Sequence, residues 1–220
     1  MKIFLVRHGE SKQNTLENYD NFPDFKVLLT ENGKQQAEEC GTFLAEYCLQ
    51  NKIDLSDAKM FVSPFARTRE TAYIINSHLN IKNIEENPLL VERQYGLFDN
   101  LAYEDRANYP ISYKFGKWMD EHDGRFYKKM PLGESPLDVY VRAKLFLEDL
   151  KRDIEKGIEN IVIVSHGLFL KVFQMAYFNY SVEWFNSTGY MKNCSVQLIE
   201  KIDDEDFDRK YIFKDEFRYQ

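Results

Sequence analysis

Twice in this chain a run of four apolar residues empties into a histidine followed by a glycine. Ile3-Phe4-Leu5-Val6 leads into Arg7-His8-Gly9, and Ile161-Val162-Ile163-Val164 leads into Ser165-His166-Gly167. Unbroken apolar runs rich in β-branched residues suit strands buried on both faces, as in a parallel sheet whose crossovers cover both sides. Ligands of open α/β sheets sit outside the carboxyl ends of the strands. Both histidines are therefore expected at one sheet edge, where Gly9 allows a sharp exit and a close approach of backbone to ligand.

The neighbours of the first histidine say what kind of ligand. Arg7 carries only donors and a permanent charge, so the pair suits an oxyanion better than a metal ion. A second cation follows another short strand: Met60-Phe61-Val62 precedes the stretch SPFARTRETA, with Arg67 at the passage into a helix. Pro88 to Val91 is expected to be a brief extended segment that delivers a carboxylate, Glu92. Bringing Arg7, His8, Arg67 and His166 to one edge crowds cationic and imidazole groups, which is costly unless an anion binds there.

The intervening stretches are scaffold. Thr30 is a plausible N-cap for a helix with Ala37, Cys40, Leu44 and Cys48 on its inner face, and Ala72, Ile75 and Leu79 form the inner stripe of the next. Ser135-Pro136-Leu137-Asp138 has the pattern of an N-cap, an N1 proline and a capping-box acid, opening a helix to about Lys156 that Gly157 ends. A further helix is expected from Leu168 to Phe178. Residues 12–29 look irregular. Residues 97–131 break the strand-helix rhythm and are expected to form helical pieces inserted as a lid, in which Lys114, Lys117, Arg125, Lys128 and Lys129 exceed the nearby acids. Such a lid is where substrate groups beyond the oxyanion would be read. The acidic cluster Asp203 to Asp208 reads as a solvated turn between two final strands.

At 220 residues and 44% hydrophobic content the chain can bury one sizeable core. A net charge of −7 argues against broad attraction to nucleic acid or anionic membrane, so an anionic substrate needs a local basic pocket. Cys40, Cys48 and Cys194 are odd in number and lack paired metal-type spacing, consistent with structural thiols in a reducing compartment. Four apolar residues before Arg7 are too few for a signal sequence, and no later run approaches the ~20 of a membrane span, so a cytoplasmic protein is expected.

Taken in order, RHGES after the first strand, SPFARTRET after the second, VERQYG in the middle and VSHG late resemble the histidine phosphatase superfamily, which includes the phosphoglycerate mutase-like enzymes. GRFYKKMPLGESPLDVYVR and VSHGLFLKVFQM resemble its broad-range acid phosphatases. The resemblance implies one domain over residues 1–220, a three-layer α/β/α sandwich with a mainly parallel sheet and an inserted lid. It implies His8 as a nucleophile forming a phosphohistidine, with Arg7, Arg67 and His166 on the phosphate oxygens and Gly167 beside them. Asn14 would donate a further hydrogen bond and Ser11 would assist. Glu92 would serve as general acid and then base on the far side of phosphorus. Glu10 and Glu134 are read as structural, and His78 and His122 as ordinary helix and lid residues. Neither metal nor cofactor is implied, because arginines supply the positive charge. The implied partner is a small phosphorylated substrate. Two alternatives stand beside hydrolysis: mutase-type phosphoryl transfer, and a non-catalytic module that binds phosphate or phosphopeptide. The chain lacks the glycine-rich, lysine-containing stretch after VERQYG and the paired lid arginines of mutases, which favours hydrolysis.

Overall fold

The structure, a computed structural model, describes residues 1–15, 23–96, 110–201 and 207–214. The two apolar runs form neighbouring parallel strands, β1 (Lys2–Arg7) and β4 (Asn160–Ser165), in register from Lys2 opposite Asn160 to Arg7 opposite Ser165. β2 (Lys59–Val62) and β3 (Asn83–Glu86) extend the parallel set beyond β4, while β5 (Val196–Lys201) and β6 (Phe207–Phe213) add antiparallel strands beyond β1. The sheet order is β3-β2-β4-β1-β5-β6.

Alternation along each strand sends successive side chains to opposite faces, and each face has its own core. Ile3, Leu5, Phe61, Ile161 and Ile163 pack with Val139, Phe146 and Leu150 of α5 (Pro136–Glu155) and Phe169 and Phe173 of α6 (Gly167–Phe178). Phe4, Val6, Met60, Val162 and Val164 pack with Ala37, Cys40 and Leu44 of α2 (Glu31–Gln50) and Ala72 and Ile75 of α3 (Ala66–Leu79). This is the expected three-layer sandwich. The three cysteines are free and buried.

Helix boundaries follow the expected chemistry. The Thr30 side chain accepts from the Gly33 N–H, and Ser135 and Asp138 form a reciprocal capping box, while Gly157 sits at φ 95 just past the end of α5. A four-residue helix, α1 (Lys12–Thr15), and a short 3-10 turn over Asp24–Lys26 occupy the described parts of the stretch read as irregular. One expectation is corrected and one strand went unread. Pro88–Leu90 is a 3-10 turn rather than an extended segment, because the Asn87 side chain accepts from the Leu89 N–H ahead of a proline whose fixed φ suits a turn. β3 had no apolar pattern to announce it: it is a mostly exposed edge strand, held by pairing to β2. Of the stretch expected as a lid, α4 (Pro110–His122) is helical and residues 123–131 are turns and irregular chain, while 97–109 lie outside the described residues. Most of the acidic turn, residues 202–206, lies outside them too; Asp208 is on β6. No helix among the described residues is long and apolar enough to cross a membrane.

Candidate active site

The carboxyl ends of β1, β2 and β4 deliver His8, Ser63 and His166 to one edge, and the start of α3 brings Arg67 alongside. The His8 and His166 rings lie 5.2 Å apart in an edge arrangement. His8 is tethered by its backbone, its N–H donating to the Ser165 carbonyl at 3.0 Å and its own carbonyl accepting from the Asn193 side chain at 3.0 Å. Its Nδ1 sits 2.7 Å from the Gly9 carbonyl. A carbonyl can only accept, so in neutral His8 the proton resides on Nδ1 and the lone pair on Nε2.

Burial and the nearby Arg67 and Arg7 guanidiniums hold the His8 pKa well below its ordinary value. The same causes, with a contribution from His8, act on His166. Both imidazoles are therefore neutral around pH 7. His166 Nε2 meets the Ser63 hydroxyl at 2.8 Å, while its buried Nδ1 has no hydrogen-bond partner among the described residues. Ser63 follows β2 directly, a placement that could have drawn notice beside Arg67.

Arg7 donates to the Met191 carbonyl, and its guanidinium lies across Gly167, where a Cβ would come within 3.3 Å of its Cζ and Nε. A side chain at 167 would crowd that guanidinium. Arg67 is only 2% exposed and is gripped by Asp24: Nη1 bonds Oδ1 at 2.9 Å and the Asp24 carbonyl at 2.8 Å, and Nη2 bonds Oδ2 at 3.3 Å. Asp24 went unsingled in the sequence because a lone acid in an irregular stretch carries no pattern.

Glu92 reaches this edge from the segment after the 3-10 turn. Its Oε1 accepts from the Arg93 and Phe169 N–H groups and its Oε2 from that of Leu168, so it caps the amino end of α6 directly after His166. Oε2 takes one N–H and keeps a lone pair on which a proton can reside. Arg142, another residue the motifs did not flag, braces this segment by donating to the Leu89 carbonyl and to both Glu134 oxygens. Glu134 is accordingly structural, and so is Glu10, whose carboxylate accepts from the Thr30 hydroxyl.

Ser11 and Asn14 stand at one remove. The Ser11 N–H and hydroxyl both donate to Asn14 Oδ1, as does Asn193, which ties the pair to the His8 carbonyl. The donor end of the Asn14 amide remains for a ligand, whereas the Ser11 hydroxyl is committed to Asn14. His78 pairs with Glu38, and His122 stacks on Trp118 within α4. Among the described residues no group of His, Cys, Asp and Glu could hold a metal ion.

A model of the histidine phosphatase superfamily (branch 1) matches residues 3–210. The chain belongs to this superfamily. The phosphoglycerate mutase-like protein AT74 of Arabidopsis thaliana is 34% identical over 90% of this chain, which spans 64% of that relative's length. The broad-range acid phosphatase DET1 of Saccharomyces cerevisiae is 30% identical, covering 90% of this chain and 84% of its own. The crystal structure of the alpha-ribazole phosphatase from Shigella flexneri superposes with a TM-score of 0.75 over 100% of both chains at 18% identity, which speaks for the fold. This superfamily member thus has a relative named as a phosphatase and a phosphatase among its structural neighbours.

Proposed function

We propose that the protein hydrolyses small phosphomonoesters through a phosphohistidine on His8, without a metal ion or cofactor. The observation that carries this reading is the Nε2 lone pair of a neutral, backbone-tethered His8, unbonded among the described residues and set among Arg7, Arg67 and His166. Nε2 attacks phosphorus and the ester P–O bond breaks. Glu92 gives its proton from Oε2 to the departing oxygen. Water then gives a proton to the Glu92 carboxylate as its oxygen attacks phosphorus from the side the alcohol left, the P–N bond breaks, and inorganic phosphate is released with His8 restored. Arg7, Arg67, His166 Nδ1–H and the Asn14 amide stabilise the charge on the equatorial oxygens. Acid-base help of this kind is worth about 10²- to 10⁴-fold.

The test is phosphate release from a panel of phosphomonoesters including 3-phosphoglycerate, with no metal added, by wild type and His8→Ala, with 2-phosphoglycerate monitored in parallel. Release that vanishes in the variant is expected. Interconversion of the phosphoglycerates without release would make the protein a mutase, and silence across the panel would point to phosphate or phosphopeptide binding alone. The mutase reading is disfavoured by the lid, where Arg106 and Arg125 stand isolated in sequence rather than paired.

A further inference from the structure

We propose that Asp24 is a positioning residue for phosphoryl transfer, holding Arg67 so that one edge of its guanidinium is presented to the transferring phosphoryl group. The inference rests on the proposed reaction and adds a residue to it.

A guanidinium has two edges that can make paired hydrogen bonds: the end formed by Nη1 and Nη2, and the side formed by Nε and Nη2. Asp24 takes the end edge with both carboxylate oxygens and adds its own carbonyl on the remaining Nη1 hydrogen. Both partners of this pair are buried, with side chains 2% and 6% exposed. The side edge is what is left, and its Nε is a buried donor with no partner among the described residues. Leaving such a donor unmet is costly. Two oxygens of a tetrahedral or trigonal-bipyramidal phosphorus group match the spacing of a side edge.

Asp24 is itself fixed independently of Arg67. The Val27 N–H donates to the Asp24 carbonyl, the Leu29 N–H donates to the Glu70 carboxylate on α3, and Ser11 and Leu29 form a β-bridge beside the loop that follows His8. The Arg67 guanidinium also lies 5.0 Å from the Phe65 ring, which in turn meets the His166 ring at 5.1 Å. Arg67 is thus clamped between a carboxylate at its end and a ring, next to the histidines.

A clamp of this kind trades charge for aim. The Asp24 carboxylate offsets one of the two guanidinium charges and so weakens general attraction to a phosphate dianion. In return the two remaining donors keep one direction, which favours the trigonal-bipyramidal state over the ground state. Replacing Asp24 by an isosteric neutral group should leave ground-state phosphate binding unchanged or tighter and should weaken binding of a transition-state mimic.

The experiment compares orthovanadate with inorganic phosphate, each titrated calorimetrically into wild type, Asp24→Asn, Asp24→Ser and Arg67→Lys, and into Arg67→Lys combined with Asp24→Asn. The preference for vanadate should fall about tenfold in Asp24→Asn and Asp24→Ser, with phosphate affinity retained. In the Arg67→Lys background the Asp24 change should leave the preference unmoved, because the edge it aims is gone. A merely structural role would lower the melting temperature and the binding-competent fraction without changing the preference. A preference unchanged within about twofold in a folded Asp24 variant would overturn the inference. Wild type that hydrolyses no ester yet shows a vanadate preference dependent on Asp24 would overturn the hydrolytic reading alone, and wild type that binds neither anion would overturn both.

Discussion

Replacing Gly33 by alanine separates the packing of the His8 loop from helix propensity. Gly33 lies in the first turn of α2, and a Cβ there would stand 1.9 Å from the Glu10 carbonyl oxygen and 2.9 Å from Glu10 N and C. Gly9 faces the same contact from the other side, its own Cβ falling 2.4 Å from the Gly33 oxygen. All of these are backbone atoms, so no side chain can swing away. Overpacking costs about 1–3 kcal/mol, and rigid backbone neighbours put this case near the upper end. Alanine returns up to about 1 kcal/mol of helix propensity, leaving a net loss of about 2 kcal/mol. For a chain of this length that is a fall in Tm of about 4–8 °C. Activity should suffer more than stability. Relief of the clash moves Glu10 and, with it, the Gly9 carbonyl that holds the His8 Nδ1–H, and a misplacement near 1 Å costs on the order of 10²-fold in rate. Gly157→Ala is the control: its φ of 95 strains an L residue, but nothing lies within 4 Å of the added Cβ. It should lose about 1–2 kcal/mol and keep full kcat. Thermal melts and phosphate-release kinetics on the two variants decide. An unchanged or raised Tm for Gly33→Ala with full activity would refute the close-approach argument.

Three further outcomes are expected. His8 and His166 are neutral in the folded protein with lowered pKa values, whereas the unfolded chain protonates them as pH falls through about 6.5; the unfolded state then binds more protons, so stability is lost as pH drops below that value. Tm should therefore decline between about pH 7.5 and 5.5, and less so in a His8→Gln, His166→Gln double variant, with parallel declines refuting the assignment. Glu92→Gln should lower kcat for phosphate release by about 10²-fold or more, and a folded variant within a few-fold of wild type would remove Glu92 from the acid-base role. Phe146, wholly buried and edge-on to Phe61 at 5.1 Å, should cost about 3–5 kcal/mol when truncated to alanine, read by urea denaturation, and a loss under about 1 kcal/mol would contradict its place in the core.

The elements legible in the sequence were those whose local chemistry and tertiary role agree. The two His-Gly strands, the Thr30 and Ser135 caps and the inner faces of α2 and α3 could be read because apolar period and capping residues are local signals. β3 was not, since an exposed edge strand needs only a partner, and its pairing with β2 is settled elsewhere in the chain. In the site, Arg7, His8, Arg67 and His166 announced themselves by following strands. Asp24, Ser63, Arg142 and Asn193 did not. Each acts through long-range hydrogen bonds from a segment whose local sequence suits any loop or helix face, and such bonds leave no periodicity. Ser11 shows the converse: the motif names it, but its hydroxyl turns to Asn14.

The strand made first occupies the middle of the sheet. β1 is flanked by β4 and β5, which begin at Asn160 and Val196, and the backbone oxygens of Arg7 and His8 receive the Cys194 N–H. On a ribosome adding about 5–20 residues per second, Ile3 to Val6 therefore wait on the order of 10–40 s for both neighbours. During synthesis that apolar strand has two open edges, which makes it a natural client for a chaperone that holds extended hydrophobic segments. A chain cut short before Asn193 would carry His8 without the loop that anchors it.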